Sequence, residues 1–290
     1  MINSFLKYLK FEKRYSQHTV AAYAADLEQF SVFLAQEKAV IQDVDYQDIR
    51  LWIISLVEDG LHPSSINRKM ASVRSFYKFL LKQELISKDP SQRLQALKTP
   101  KRLPEFVQEK DIVSLFDQHN FGDDFFGLRD KVILELLYGT GMRRAELLGL
   151  QENSINFEKK QIKVLGKRNK ERIIPVTQTV IDLIRNYLDA RKNQFEGAAS
   201  TLLVTDKGEA CYPMLIYRTV VKYLGSVVSL EKKSPHVLRH TYATHLLNNG
   251  ADLNAVKDLL GHSSLAATQV YTHNSLEKLK KVFQQAHPKA

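Results

Sequence analysis

The spacing of apolar residues constrains the fold of this chain more than any other feature. Apolar residues recur every three or four positions along most of the 290 residues, a period typical of amphipathic helices. One block departs from that period, because residues 155–157, 161–165 and 172–176 read as three short strands separated by turns. We therefore predict a mainly α-helical protein with a small three-stranded antiparallel sheet.

The helical segments fall into two groups, separated by a short proline-containing segment. Residues 1–95 contain four predicted helices, and a chain of 290 residues is long enough for two cores. Residues 96–104 contain two prolines and three basic residues, which favours an extended linker. We predict a first domain at 1–95, a linker at 96–104 and a second domain at 105–290.

Charge and cysteine content restrict the partners and the compartment. The formal net charge is +10 and the isoelectric point is near 9.4, which favours a polyanion such as nucleic acid, although a merely basic surface is the alternative. Cys211 is the single cysteine, so a reducing compartment fits. We identify neither a signal peptide nor an apolar run long enough for a membrane span, and expect a cytoplasmic protein with no membrane partner.

The fourth predicted helix carries a row of basic residues that could contact DNA. Arg74, Lys78 and Lys82 are spaced by four, so they form one ridge that could follow a phosphate backbone. A solvated helix face is the more common reason for such a ridge. The aromatic residues of this domain, Trp52 among them, read as core rather than as platforms for bases. The candidate DNA contacts are Arg68, Lys69, Arg74 and Lys78.

A sharp turn places an arginine at the start of a helix in the second domain. Arg143 follows a Gly-Thr-Gly turn, where free backbone N–H groups and the guanidinium can face one anion. Glu146, one helical turn later, could hold a guanidinium in place. The alternative is a surface ion pair, which contributes little.

The turn between the last two predicted strands carries two lysines, Lys167 and Lys170. An ammonium group at the tip of such a turn could enter a groove and act as a general acid. Spacing alone does not choose between the two lysines, and a solvated cluster of charge is the alternative.

The stretch from 234 to 273 gathers imidazole, guanidinium and phenol groups on short helices. His236 and Arg239 are three residues apart and share a helix face. His262 follows a helix end at Gly261, and Tyr271 lies nine residues later. Cationic and imidazole groups around one phenol suit a phosphate, with the phenol as nucleophile. His240 and His245 read as core histidines.

Five motifs occur in a characteristic order: TGMRRAEL, GKRNKER, SPHVLRH, LLGH and QVYTH. In order and spacing they resemble the tyrosine site-specific recombinases of the phage-integrase family, most closely the bacterial XerC/XerD group. Each motif is weak alone, but five in order are specific, and the resemblance covers nearly the whole chain. It implies a SAM-like four-helix core-binding domain, followed by an α+β catalytic domain of the DNA breaking-rejoining fold.

The resemblance also implies roles for the matching residues. Tyr271 would attack the scissile phosphorus and form a 3′-phosphotyrosyl link, while Lys167 would protonate the departing 5′-oxygen. His236 would help to accept the tyrosine proton. The family uses no metal or other cofactor. The residues implied to surround the scissile phosphate are Arg143, His236, Arg239 and His262.

As partners, the resemblance implies double-stranded DNA with a specific recombination site and a tetramer that forms on it. The tetramer would contain this chain alone or with a second Xer-type recombinase, and the FtsK translocase would control it. Strands would exchange through a Holliday junction to resolve chromosome dimers at a dif-type site. The C-terminal helix would dock on a neighbouring subunit, with packing on its own subunit as the alternative. Arg144 and Arg168 depart from the family pattern without removing a catalytic group.

Other functions fit parts of the sequence. His236 and His240 have the spacing of metal ligands, but no HExxH arrangement is present and Arg239 would face the cation. An integrase or transposase of a mobile element would use the same chemistry, and a type IB topoisomerase would nick and reseal a single duplex. A non-catalytic DNA-binding protein leaves the series of six catalytic candidates unexplained.

Overall fold

The computed structural model describes residues 1–100, 105–166, 170–261 and 285–286. The chain divides into two compact units, Met1–Arg102 and Leu103–Ala290. The division falls within residues 96–104, but the first unit extends beyond residue 95. The side-chain amide of Asn67 donates to the carbonyl of Leu97 at 2.9 Å, and the backbone N–H of Leu97 donates back at 2.8 Å. Residues 96 and 97 therefore belong to the packed unit and not to a free linker.

The first unit contains four α-helices, as predicted. Their starts carry recognisable caps: the hydroxyl of Ser16 accepts from the backbone N–H of Thr19, and Asp45 forms a capping box with Asp48. A π-helical turn, Tyr8–Glu12, continues the first helix. The helices are α1 (Ile2–Lys7), α2 (Gln17–Gln36), α3 (Tyr46–Glu58) and α4 (Pro63–Lys82).

An aromatic core holds these four helices together. The rings of Phe30 and Trp52 lie 4.8 Å apart, and those of Phe5 and Phe76 lie 5.5 Å apart. All four side chains are buried, so the aromatic residues serve as core, as predicted, since edge-on and tilted pairs of this kind stabilise packing.

Over its described residues, the second unit is α-helical apart from one small sheet. The helix α5 continues into a π-helical turn, Ser114–Gln118, and a 3₁₀ turn, Glu152–Ser154, precedes the sheet. The helices are α5 (Glu109–Val113), α6 (Phe125–Thr140), α7 (Arg144–Leu148), α8 (Gln178–Gln194), α9 (Pro213–Val227), α10 (Pro235–Asn248) and α11 (Leu253–Leu260). The strands are β1 (Ile155–Asn156), β2 (Gln161–Leu165) and β3 (Glu171–Pro175), in the order β1-β2-β3 and antiparallel.

The helix α6 forms the centre of the second core. Val132, Ile133, Leu136 and Leu137 are fully buried, and the helix contacts α8, α9 and α10. Such all-round burial is typical of a central helix. The mainly helical fold with a three-stranded antiparallel sheet is confirmed.

Two further sequence expectations concern the end of the chain and the membrane. The segment around Tyr271 and most of the predicted C-terminal helix lie outside the described residues. Within the described ranges, every helix is too short or too polar to cross a lipid bilayer.

Candidate active site

The turn between α6 and α7 can be made only by glycine at its central position. Gly141 has φ +60°, and a β-carbon there would lie 2.4 Å from Cδ1 of Tyr242 and 2.8 Å from Cδ2 of Leu260. Both the left-handed backbone and the close packing exclude a side chain. The turn therefore fixes the position of Arg143, two residues later, against α10 and α11.

Arg143 and Glu146 form the contact that the sequence predicted. The backbone N–H of Arg143 donates to Oε2 of Glu146 at 2.7 Å, and its Nη1 donates to Oε1 at 2.8 Å. Glu146 is only 6% exposed, whereas the Arg143 side chain is 36% exposed. The guanidinium of Arg143 is thus held from behind by a buried carboxylate while one side of it remains accessible.

Arg172 is a member of the site that our sequence reasoning missed. It lies on β3, is 5% exposed, and donates from Nη1 and Nη2 to the two oxygens of Glu146 at 2.8 Å each. The signal was available: Arg172 is two residues from Ile174 and therefore on the core-facing side of its strand. A buried guanidinium must find hydrogen-bond acceptors within the protein, and a carboxylate is the strongest of them.

Three arginines meet the end of α11. Nε of Arg172 donates to the carbonyl of Leu259 at 3.0 Å, and Nη2 of Arg239 donates to that of Leu260 at 2.6 Å. Nη2 of Arg143 donates to the carbonyl of Gly261 at 3.1 Å. Three consecutive carbonyls at the negative end of a helix thus accept from three separate guanidinium groups.

Arg239 is the most enclosed of the three catalytic candidates that the structure describes. It is 9% exposed, and its Nη1 also donates to the carbonyl of Gly141 at 2.5 Å. Because a guanidinium has five N–H donors, these two bonds orient the group and leave further donors for an anion. Arg239 thereby links the Gly141 turn to the end of α11.

The electrostatics of the cluster favour an anion. Burial, with the nearby charges of Arg143 and Arg172, lowers the pKa of Arg239 to about 10, although Glu146 acts in the opposite direction. Burial alone would raise the pKa of Glu146, but the hydrogen bonds and charge of Arg172, with those of Arg143, bring it to about 2. The cluster therefore combines three guanidinium groups with one carboxylate. The excess positive charge suits a phosphate, whose oxygens match guanidinium forks.

The other predicted catalytic residues are placed only in part. His236 is exposed on the first turn of α10, three residues before Arg239. Lys167, His262 and Tyr271 lie outside the described residues. The chain just before Lys167 lies beside the cluster, because a β-carbon on Gly166 would be 3.5 Å from Oε1 of Glu146.

The two remaining histidines of α10 differ in burial. His245 is a core residue, as predicted: its Nδ1 pairs with the hydroxyl of Tyr138 at 3.0 Å and its Nε2 with the carbonyl of Val107 at 2.9 Å. The prediction for His240 was too strong, because this side chain is only half-buried. Its position on α10 turns it partly out of the core that holds His245.

The basic residues of α4 have two different surroundings. Arg68 and Lys69 both bind the buried carboxylate of Asp26, which also accepts from the hydroxyl of Ser72 at 2.7 Å. Arg74 and Lys78 instead line a groove of about 750 Å³, and Nη2 of Arg74 donates to the carbonyl of Leu94 at 2.7 Å. The four candidates therefore form two pairs, and only Arg74 and Lys78 belong to the ridge of residues spaced by four.

In the part of the chain that the structure describes, no cluster of three or more His, Cys, Asp and Glu side chains could hold a metal ion.

Comparison with known proteins agrees with the motifs. The phage integrase family matches residues 105–278, and the N-terminal SAM-like domain of phage integrases matches residues 2–84. The tyrosine recombinase XerC of Chlorobaculum parvum is 37% identical over 317 residues, covering 100% of this chain and 94% of the relative. The tyrosine recombinase XerD of Staphylococcus haemolyticus is 36% identical over 294 residues, covering 100% and 99%.

Solved structures share the fold. The XerH site-specific recombinase bound to a palindromic difH substrate, in a post-cleavage complex, has a TM-score of 0.73 and 21% identity, covering 97% of this chain and 83% of that one. The integrase of transposon Tn1549 in complex with transposon right-end DNA has a TM-score of 0.68 and 23% identity, covering 97% and 98%. The family resemblance and the SAM-like first domain are thereby confirmed. The chain belongs to the phage integrase family and is a tyrosine recombinase.

Proposed function

We propose that this protein is a site-specific recombinase that resolves chromosome dimers at a dif-type site, through a 3′-phosphotyrosyl intermediate and a Holliday junction. The observation that carries the proposal is the arginine cluster around Glu146, which has excess positive charge and one accessible guanidinium. Relatives that match the full chain at 36–37% identity bear the names XerC and XerD. This similarity favours a Xer role over that of a mobile-element integrase.

In the proposed reaction the phenol oxygen of Tyr271 forms a bond to phosphorus, and the bond from phosphorus to the 5′-oxygen breaks. The phenol proton passes to His236, and Lys167 supplies the proton that the departing 5′-oxygen takes. Arg143 and Arg239, with His262, stabilise the charge that develops on the non-bridging oxygens. The bond energy is kept in the phosphotyrosyl link, which the 5′-hydroxyl of another strand then attacks.

The arrangement of Arg143 and Arg239 supports these roles. Both guanidinium groups are fixed by bonds to protein groups before any substrate binds: Arg143 to Glu146 and Gly261, and Arg239 to Gly141 and Leu260. Donors that are oriented in advance stabilise a developing charge without reorganising during the reaction.

Double-stranded DNA is the proposed partner. The formal net charge of +10 supplies the long-range attraction to a polyanion. We propose Arg68, Lys69, Arg74 and Lys78 as contacts of the first unit. Asp26 fixes Arg68, whose side chain remains 51% exposed, so this guanidinium is held at the surface where a phosphate can reach it.

The proposed assembly is a tetramer on DNA in the cytoplasm, formed by this chain alone or with a second Xer-type recombinase and controlled by FtsK. The mixture of XerC and XerD names among the relatives supports a division of labour between two similar chains. Reconstitution with and without the second recombinase of the same cell separates the two compositions.

Recombination of a supercoiled plasmid tests the function. Sites found by mapping protein-bound DNA across the genome are placed as a direct pair on the plasmid, with a scrambled pair as the control. We expect two smaller circles from the true pair and none from the scrambled pair. Relaxation without exchange would indicate a topoisomerase. Exchange at the ends of a mobile element, but not at a chromosomal site, would indicate an integrase.

A further inference from the structure

The geometry points to Arg172 as a positioning residue for DNA cleavage, which acts by holding Glu146 and, through it, the guanidinium of Arg143. This inference rests on the proposed function, because Arg143 must contact the scissile phosphate for its position to affect the rate.

The pairing of β2 with β3 positions Arg172 at the site. Arg172 pairs with Val164 of β2, and two residues along β3 Ile174 pairs with Ile162. Val164, Ile162 and Ile174 are fully buried on the core-facing side. Arg172 is therefore a cation in an apolar layer, and its guanidinium, away from water, must find its partners within the protein.

Glu146 is the main partner of Arg172, and each of its two carboxylate oxygens also accepts a hydrogen bond from Arg143. Oε1 accepts from Nη1 of Arg172 and from Nη1 of Arg143, each at 2.8 Å. Oε2 accepts from Nη2 of Arg172 at 2.8 Å and from the backbone N–H of Arg143 at 2.7 Å. The two-pronged contact with Arg172 fixes the plane of the carboxylate. The orientation of the carboxylate in turn sets the orientation of the Arg143 guanidinium.

A second contact ties this arrangement to the end of α11. Nε of Arg172 donates to the carbonyl of Leu259. Gly261 has φ +64°, and a β-carbon there would lie 3.3 Å from Cδ and from Nη1 of Arg172. The side chain of Arg172 thus packs directly under the residue whose carbonyl accepts from Arg143. One buried side chain contacts both of the groups that hold Arg143.

Arg191 provides a matched control. It is as buried as Arg239, at 9% exposure, and donates to the backbone carbonyls of Leu202 and Ala199. Those carbonyls are not partners of Arg143, Glu146 or Arg239. Replacing Arg191 therefore removes a buried guanidinium from the same unit without changing the support of Arg143.

The experiment measures covalent complex formation by the full-length chain on a nicked suicide DNA carrying its mapped site. Wild type, Arg172→Met, Arg172→Lys, Arg191→Met and Arg143→Ala are compared on two substrates. One has an ordinary scissile phosphate. The other has a methylphosphonate, in which a methyl group replaces a non-bridging oxygen and removes the negative charge. Circular dichroism establishes a temperature at which each variant is folded, and filter binding gives its DNA affinity.

On the ordinary phosphate we expect Arg172→Met to slow cleavage by about 10²-fold, since small misplacements of a catalytic group have effects of that order. DNA affinity should change by less than about threefold, because most phosphate contacts lie elsewhere. Arg172→Lys should be intermediate, since an ammonium cannot bind both carboxylate oxygens in a two-pronged way. Arg191→Met should cleave like wild type. On the methylphosphonate, the defects of Arg172→Met and Arg143→Ala should shrink together.

Three results would overturn the inference: a folded Arg172→Met that cleaves at the wild-type rate, an equal defect on both substrates, or an equal defect in Arg191→Met. If Arg172→Met does not fold, Arg172→Lys takes its place, and a wild-type rate or a substrate-independent defect in that variant also overturns the inference. A wild-type protein that forms no covalent complex with either DNA would instead refute the proposed function.

Discussion

At the scale of single residues, Glu146 organises the site. One buried carboxylate accepts from both residues: Oε1 accepts from the guanidinium groups of Arg143 and Arg172, and Oε2 accepts from Arg172 and from the backbone N–H of Arg143. Its negative charge is a condition for placing three arginines so close together. The state of this one carboxyl group should therefore affect both stability and cleavage.

Stability should fall as Glu146 takes up a proton. The pKa of Glu146 is about 2 in the folded protein against an ordinary 4.5, so the unfolded chain binds the proton more readily. The stabilisation is present above pH 4.5 and is lost as the pH falls from 4.5 towards 2. Its size is about 3 kcal/mol. Denaturant unfolding from pH 7 to pH 2 measures it, as the difference between wild type and Glu146→Gln.

That difference should be largest at neutral pH and shrink below pH 4.5. Glu158→Gln, which changes an exposed carboxyl group, serves as the control and should follow wild type throughout. A difference between wild type and Glu146→Gln that does not depend on pH would contradict the ionised, ion-paired state of Glu146.

Removal of either guanidinium that we propose as catalytic should separate cleavage from binding. We expect Arg143→Ala and Arg239→Ala to slow cleavage of a suicide substrate by about 10²–10³-fold, the usual effect of losing one oriented donor to a developing charge. Affinity for the same DNA should change only a few-fold, since other phosphate contacts supply most of it. Gel-shift and covalent-trapping assays on one substrate measure the two effects. Parallel loss of affinity and cleavage would refute the separation.

The proposed general acid, Lys167, has a test of its own. Lys167→Ala should slow cleavage of an ordinary 5′-oxygen strongly, but should hardly slow cleavage of a 5′-bridging phosphorothiolate, because sulfur leaves without a proton. Lys170→Ala tests the neighbouring lysine in the same way and should show no such difference between the substrates. If Lys167→Ala slows both reactions equally, another group supplies the proton.

Side-chain contacts could be predicted from the sequence only where the two partners are close along the chain. Glu146 lies three residues from Arg143, so helix geometry alone suggested their contact. Arg172 lies 26 residues from Glu146, and no local period links them. The alternation in β3 showed that Arg172 faces the core, but not which carboxylate would meet it there.

At the scale of elements, the boundaries followed from local chemistry. Gly261 marks a helix end as the sequence suggested, and Asp45 and Asp252 cap the starts of α3 and α11, because caps are set by a few neighbouring residues. The three strands begin and end within one residue of the prediction. The docking of α11 onto three arginines could not be predicted, since it joins groups 21 to 118 residues apart.

The turn between α6 and α7 should tolerate no side chain. Gly141→Ala combines a left-handed backbone, which costs about 1–2 kcal/mol, with overpacking against Tyr242 and Leu260, which costs roughly 1–3 kcal/mol more. Gly250→Ala is the matched control: its φ is +84°, but nothing lies within 4 Å of a β-carbon there. Thermal or denaturant unfolding should show a clearly larger loss for Gly141→Ala. Equal losses would mean that close packing at Gly141 contributes nothing.

At the scale of the whole molecule, we propose different tasks for the two units. The first unit, Met1–Arg102, presents basic residues on α4, and the second, Leu103–Ala290, holds the arginine cluster. Net charge favoured a polyanion such as nucleic acid, and chain length with the proline-containing segment predicted two cores. Neither of these features could indicate how Arg143 and Arg239 are held in place, because their positions depend on contacts between distant parts of the second unit.

The central claim is that Tyr271 becomes covalently joined to DNA at a phosphate held by the arginine cluster. The most direct measurement is denaturing electrophoresis of wild type and Tyr271→Phe after incubation with a radiolabelled nicked suicide substrate, followed by mass spectrometry of the DNA-linked peptide. We predict a covalent complex for wild type, with the nucleotide on Tyr271, and none for Tyr271→Phe. A complex that persists in Tyr271→Phe, or a linkage on another residue, would contradict the account.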